Sequence, residues 1–121
     1  MTTILALPFP PSVNAMWRYG RERVYKSKSY AAWIVEADAA LMADHPKPKK
    51  VRGHFTIDIS FPRKRRGRSD VDNRVKAVLD WLQRVELIDN DSLCDGVEAS
   101  WVDTIDDECI VAILPAKKAA A

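Results

Sequence analysis

Apolar residues follow two different periods along the chain, and the switches between them mark out the elements. Residues 2–7 form a short apolar run, β-branched at its start, expected as a strand that Pro8, Pro10 and Pro11 stop. Residues 12–28 show neither period and are expected as a basic loop. A helical period follows, with Trp33, Ile34, Ala37, Ala40 and Leu41 on one side; Ser29 is the expected cap, and Pro46 and Pro48 end the run after about Asp44. Residues 51–61 switch to period two, where Phe55, Ile57, Ile59 and Phe61 alternate with Thr56, Asp58 and Ser60. A second helix is expected to open at Ser69 and Asp70, with Val71, Val75, Val78, Leu79 and Leu82 as its apolar face. Val97, Ala99 and Trp101 alternate weakly over residues 92–102, and residues 109–114 are a last apolar strand. The order β-α-β-α-β-β, with a short turn between the last two strands, predicts a terminal hairpin. The expected class is α+β: one small domain over residues 1–116, its sheet covered by two helices, with residues 117–121 as a disordered tail.

Composition narrows the class. At 121 residues with 47% hydrophobic and 30% charged side chains, the chain suits one globular domain. Its apolar runs fall far short of the roughly 18 residues of a membrane span, and the first residues lack the basic start of a secretory signal. Cys94 and Cys109 are too widely spaced for a CxxC pair and are expected as reduced, buried thiols in a cytoplasmic protein. His45 and His54 have no metal-ligand spacing and are expected at the periphery.

The net charge of +2 conceals a division. Residues 1–69 carry 14 Lys and Arg against 5 Asp and Glu, whereas residues 70–121 carry 5 against 12. The first half therefore suits a polyanionic partner, and some acids of the second half suit a cation.

Both trends meet at residues 63–76. Asp70 and Asp72 fall in the first turn of the second expected helix, Lys76 lies one turn after Asp72, and Asp91 follows the helix. Hard cations such as Mg²⁺ take oxygen ligands, often one or two carboxylates plus substrate phosphate oxygens. Phosphodiester cleavage draws on such a cation to activate water and stabilise the leaving oxygen. Lys76 suits either the carboxylates or the scissile phosphate, and Asn73 suits a phosphate or a ligand-orienting contact. Spacing alone equally fits helix capping by Ser69 and Asp72 with a surface Asp72–Lys76 pair. The preceding loop tips the balance. Arg63, Lys64, Arg65, Arg66 and Arg68 crowd five cations immediately before Asp70, an arrangement that grips phosphates and delivers a backbone to the acids.

These residues resemble a known family. Residues 63–91, with Asp-x-Asp-Asn-x-x-Lys after a basic loop and an acidic turn fifteen residues beyond Lys76, are similar to the RusA Holliday-junction resolvases, as is the early Pro8-x-Pro10-Pro11-Ser12-x-Asn14 segment. These are small endodeoxyribonucleases of bacteria, often carried by their phages. The resemblance implies a homodimer that binds four-way junction DNA and resolves it by paired, symmetrical nicks in recombination and repair, with Mg²⁺ or Mn²⁺. It places the metal acids at Asp70, Asp72 and Asp91, the essential lysine at Lys76, and DNA contacts at Arg63, Lys64, Arg65, Arg66 and Arg68, to which Asn14 and Asn73 are added. The family commonly has two adjacent acids in the later turn. Here the turn reads Asp89-Asn90-Asp91, so the third acid is Asp91 by spacing, with Asp89 as the other choice.

Two rivals stand beside this reading: a DNA-binding module that has lost cleavage, and a Mg²⁺-dependent hydrolase of free nucleotides, for which five cations are more than one nucleotide needs. Trp17, Tyr19 and Tyr25, which interleave with Arg18, Arg21, Arg23, Lys26 and Lys28, are expected to pack their loop onto the domain more readily than to stack on bases. Phe61 is expected in the core rather than as a wedge between bases, Trp33, Trp81 and Trp101 in the core or a dimer contact, and Asp103, Asp106 and Asp107 in a solvated turn.

Overall fold

The alternation of residues 55–61 is realised as strand β4 (Phe55–Pro62), whose Phe55, Ile57, Ile59 and Phe61 are buried while Thr56 and Asp58 face solvent. The computed structural model describes residues 2–44, 46–67 and 70–116. Arg68, Ser69, His45 and the tail 117–121 lie outside the described residues, and with them the expectations placed there. β4 is central in a four-stranded sheet with β1 (Thr3–Ala6), β5 (Cys94–Val102) and β6 (Ile110–Pro115), in the order β1-β6-β4-β5. Leu5, Ile57, Ile59, Val111 and Ile113 are brought to one face by the register, and this face joins the core with the buried residues of two helices.

The terminal hairpin does not form. β6 pairs antiparallel with both β1 and β4, whereas β5 pairs with β4 in parallel. The composition of the two strands explains the exchange. β6 is apolar along its length, with Val111 and Ile113 buried and Ile110, Ala112 and Leu114 half-buried, which suits a strand with neighbours on both sides. β5 carries Asp95, Gly96, Glu98 and Ser100, and this polarity suits an edge. Its parallel pairing requires a crossover, which the second helix supplies.

Helix α1 (Lys28–Ala43) buries Tyr30, Trp33 and Ala37, with Ile34 and Leu41 half-buried. Its cap is Ser27 and not Ser29. The Ser27 Oγ accepts from Tyr30 N at 3.1 Å, donates to the Ala15 carbonyl at 2.5 Å, and is itself buried. The expected second helix is split. Residues Val71–Arg74 form a 3-10 turn, and helix α2 (Val75–Arg84) continues it, burying Ala77, Val78, Trp81 and Leu82. Its exit is a Schellman closure, with Leu87 N donating to Leu82 O and Glu86 N to Gln83 O. Glu86 occupies the left-handed position, at φ 63°, where glycine is usual. The two helices are tied by Asp38, which accepts from the Trp81 indole at 2.9 Å and pairs with Arg84 at 2.6 Å. Burial pushes the Asp38 carboxyl up, but these two hydrogen bonds outweigh it and hold its pKa below the ordinary value.

Residues 12–28, expected as loop, form a 3-10 turn (Val13–Ala15) and a two-stranded ribbon, β2 (Trp17–Tyr19) with β3 (Val24–Lys26). The ribbon is fastened at its root by fully buried Met16 and by Ser27 N donating to the Met16 carbonyl at 2.9 Å. Trp33 and Trp81 lie in the core and Trp101 is half-buried against it. Cys109 is buried, which pushes its thiol up to about 12, while Cys94 is only half-buried; both are free. Among the described residues no helix is long and apolar enough to cross a membrane.

Because Ser27 both caps α1 and fastens the ribbon, Ser27→Ala is expected to lower stability by about 1–2 kcal/mol. Ser29→Ala should cost only a few tenths. Equal midpoints for the two variants in urea unfolding would assign the cap wrongly.

Candidate functional site

The site is built on one face of α2. Lys76, Asp80 and Gln83 recur at i, i+4 and i+7, and so line up along the helix. Lys76 Nζ pairs with Asp80 at 3.0 Å and reaches Asp91 at 3.8 Å. Gln83 Oε1 accepts from the Asp91 backbone N at 2.9 Å. Asp91 is thus held at two points, its backbone by Gln83 and its carboxylate by Lys76. The hydrogen bond to Asp80 raises the Lys76 pKa above 10.5, and the charge of Asp91 adds to the effect against a smaller opposing burial. Lys76 is therefore a permanent cation at neutral pH.

Three short turns gather round this helix. The Val13–Ala15 turn, which carries Asn14, packs against α2 and the Val71–Arg74 turn; the Asp91–Leu93 turn packs against α2 as well. Asp70, Asp72 and Asn73 stand on the Val71–Arg74 turn or at its start. The Asp70 side chain accepts no capping hydrogen bond from this turn; the alternative of capping by Ser69 with Asp72 falls on Ser69, outside the described residues. The two acids of the later turn are separated in role. Asp89 pairs with Lys50 at 2.8 Å and accepts from Gly53 N at 3.0 Å, contacts that lower its pKa and turn it away towards the segment before β4. Asn90 is spent on capping, its Oδ1 accepting from Ser92 N at 2.9 Å. Asp91 alone of the three meets the Lys76 stripe. Among the described residues, no three His, Cys, Asp or Glu side chains are grouped closely enough to hold a metal ion by themselves.

The basic loop is fixed at its base by aromatic and acidic contacts. Arg63–Arg65 form a 3-10 turn, and the loop then bends at Gly67, whose φ of 51° suits glycine. Arg65 and Arg74 both lie over the Phe9 ring, at 4.6 and 4.9 Å, and Arg74 donates to the Pro10 carbonyl at 3.1 Å. Phe9 in turn packs edge-on against Phe61 at 5.5 Å and stacks with Trp101 at 6.2 Å. The Pro8–Pro11 segment therefore joins the basic loop to the turn bearing Asp72. The acidic turn after β5 is not merely solvated: Arg63 pairs with Asp103 at 2.6 Å and Arg65 with Glu108 at 3.1 Å. Phe61 is fully buried and no wedge. His54 meets Asp95 at 3.0 Å on an exposed surface.

Sequence reasoning missed Phe9, Arg74, Asp80 and Gln83. The i, i+4, i+7 spacing was the legible signal for the last two; Phe9 and Arg74 had none beyond their neighbours. The geometry predicts that Asp80→Asn brings the Lys76 amine back towards 10.5, while Asp38→Asn leaves it in place. Lysine Nζ resonances followed by NMR through the alkaline range measure this, and an unmoved Lys76 in the Asp80 variant contradicts the assigned pairing.

Taken together, the site is an exposed, strongly charged surface made of a basic loop, acids on short turns and a lysine paired with Asp80 and Asp91. A comparison with curated proteins gives no match. The profile of the family described as endodeoxyribonuclease RusA matches residues 8–117, which takes in the Pro8–Pro11 segment, the basic loop and both acidic turns. With nearly its whole length matched, the chain belongs to the endodeoxyribonuclease RusA family.

Proposed function

We propose that the protein is a Mg²⁺-dependent, structure-selective endonuclease that resolves four-way DNA junctions as a homodimer, by paired nicks on opposing strands. The observation that carries this reading is the seating of Asp91 against Lys76, on the helix into which the turn bearing Asp70 and Asp72 leads, within a chain of the RusA family. Resolution of a junction needs two like centres facing two like strands, which a two-fold dimer provides.

The donor chemistry of Asp70, Asp72 and Asp91 fits a hard cation. Mg²⁺ is commonly bound by one or two carboxylates with water and substrate phosphate making up the rest, so an open set of acids suits it better than a closed cage. Bound there, Mg²⁺ or Mn²⁺ supplies Lewis-acid stabilisation of the charge that builds at phosphorus. Lys76 stands beside Asp91 with its charge fixed and is placed to share that charge on the phosphate oxygens. Asn73 and Asn14 orient the strand from the adjoining turns. Arg63, Lys64, Arg65 and Arg66 hold the phosphates. For Arg63 and Arg65 this is an exchange of partner, since Asp103 and Glu108 already hold them in the free protein.

Asp72→Asn is expected to reduce nicking of a synthetic four-way junction at least about a hundredfold while leaving junction affinity unchanged. Undiminished cleavage sinks the assignment of Asp72. Binding by the parent protein with no nicking at any divalent ion would instead leave a junction-binding module. Arg65→Ala with Arg66→Ala should weaken binding and lower the slope of log affinity against log salt by about two. A slope that stays the same would remove these arginines from the phosphate contacts.

A further inference from the structure

The ribbon β2–β3 is exposed along its whole length and is chemically unlike the rest of the surface. Tyr19 is 80% exposed, Val24 55%, Tyr25 46% and Trp17 38%. Of the three aromatics expected to pack their segment onto the domain, Trp17 keeps an edge-on contact with Tyr30, while Tyr19 and Tyr25 stand outward. Around them stand Arg18, Arg21, Arg23, Lys26 and Lys28, against the single acid Glu22. Large apolar side chains held outward in a group mark a surface that meets something. The surrounding cations identify the partner as an anion with flat apolar groups.

We infer that this ribbon is a second DNA-holding element, an arm that takes single-stranded DNA, with its cations on phosphates and the Tyr19 ring on a base. Register supports the chemistry on both sides. Arg18 stands opposite Tyr25, Trp17 opposite Lys26 and Tyr19 opposite Val24, so each face of the ribbon carries at least one ring beside a cation. Arg23 also lies over the Tyr25 ring at 5.9 Å. Aromatics alternating with cations are the composition of a platform for unpaired bases, because every base has a stacking face and every nucleotide a phosphate. Arg18, Tyr25, Lys26 and Lys28 line a shallow hollow of about 320 Å³ at the foot of the ribbon, large enough for one nucleotide unit.

The position fits the proposed reaction. Trp17 packs edge-on against Tyr30 at 5.7 Å, and the Val13–Ala15 turn that leads into the ribbon packs against α2 and the Val71–Arg74 turn. The root of the ribbon therefore lies beside α2 and the turn that bears Asp72. A strand lying along it continues towards Lys76 and Asp91. Where that strand comes from, the opened centre of a junction, rests on the function proposed above; the affinity of the ribbon for unpaired DNA does not.

The test uses the full chain with two probes, an oligo-dT and a four-way junction carrying 2-aminopurine at its branch point. Tyr19→Ala removes an exposed ring and leaves the fold intact by circular dichroism. It is expected to weaken oligo-dT binding roughly tenfold and to abolish quenching of the 2-aminopurine, with little change on a plain duplex. Arg18→Ala with Arg21→Ala should lower the salt slope for oligo-dT by about two. Unchanged oligo-dT affinity and quenching in the Tyr19 variant, with the parent cutting junctions, overturns the ribbon assignment and leaves the nuclease reading standing. Loss of oligo-dT binding in a protein that never cuts junctions does the reverse.

Discussion

Insertion of β6 between β1 and β4 is the constraint from which the rest of the arrangement follows. The strand buries Val111 and Ile113 on the core face and carries apolar residues on the other, so an edge would expose it to water and to foreign strands. With β1 and β4 on the two sides of β6, β5 takes the free side of β4, and it pairs there in parallel. That pairing needs a crossover element, and α2 fills the role. The segment from β5 back to β6 must then pass over the end of β4, because the two strands it joins flank that strand. The end of β4 is where the basic loop begins. Topology alone thus lays Asp103 and Glu108 across Arg63 and Arg65.

The same crossover determines the chemistry of the site. A helix that leads directly to a parallel edge strand returns its chain past its own exposed face, and the Asp91 turn is the returning piece. Gln83 holds the backbone of that turn and Lys76 its carboxylate, so an acid fifteen residues downstream in sequence is fixed beside a lysine on the helix. The partition of the Asp89-Asn90-Asp91 turn follows from this docking. Once the Asp91 N–H faces Gln83, Asp89 lies on the opposite side of the bend and finds Lys50 and Gly53. Asn90 closes the turn through its side-chain oxygen, which accepts from Ser92 N, a role that the carboxylate of an aspartate at position 90 would fill equally.

What was legible in the sequence was whatever a period could report. The alternation of residues 55–61 and the helical spacing of Trp33, Ala37 and Leu41 gave β4 and α1 directly. Ser27 was missed in favour of Ser29 because both are plausible caps, and the choice depends on the Ala15 carbonyl twelve residues away. The hairpin expectation failed for a similar reason: a short connection favours neighbouring strands, but the apolar excess of β6 over β5 competes with it and wins. The ribbon was invisible because its positions are exposed on both faces, so no alternation of burial exists for a period to detect. The acids and Lys76 stood out by spacing together with the basic loop, and of them the structure brings Lys76 and Asp91 together. Their supports, Asp80 and Gln83, were visible only as a polar helix face, and Phe9 only as a residue between prolines.

The charge division of the chain takes on a different meaning in the folded protein. Counted along the sequence, the first half looks like a reservoir of cations for a polyanion and the second a reservoir of acids. In the structure the two halves are partly folded onto each other: Lys50 meets Asp89, His54 meets Asp95, Arg63 meets Asp103, and Arg65 meets Glu108. Each pair is exposed and therefore weak. Weak pairs still matter for selection. A nucleic acid that engages Arg63 and Arg65 gains only the difference between a phosphate and a carboxylate that was already in place. A single duplex offers few phosphates at once and gains little. A junction presents several backbones to the same surface, and its advantage grows with each contact it satisfies together. Internal acids of this kind therefore lower general affinity for DNA more than affinity for a branched substrate, which is the bias a structure-selective enzyme requires.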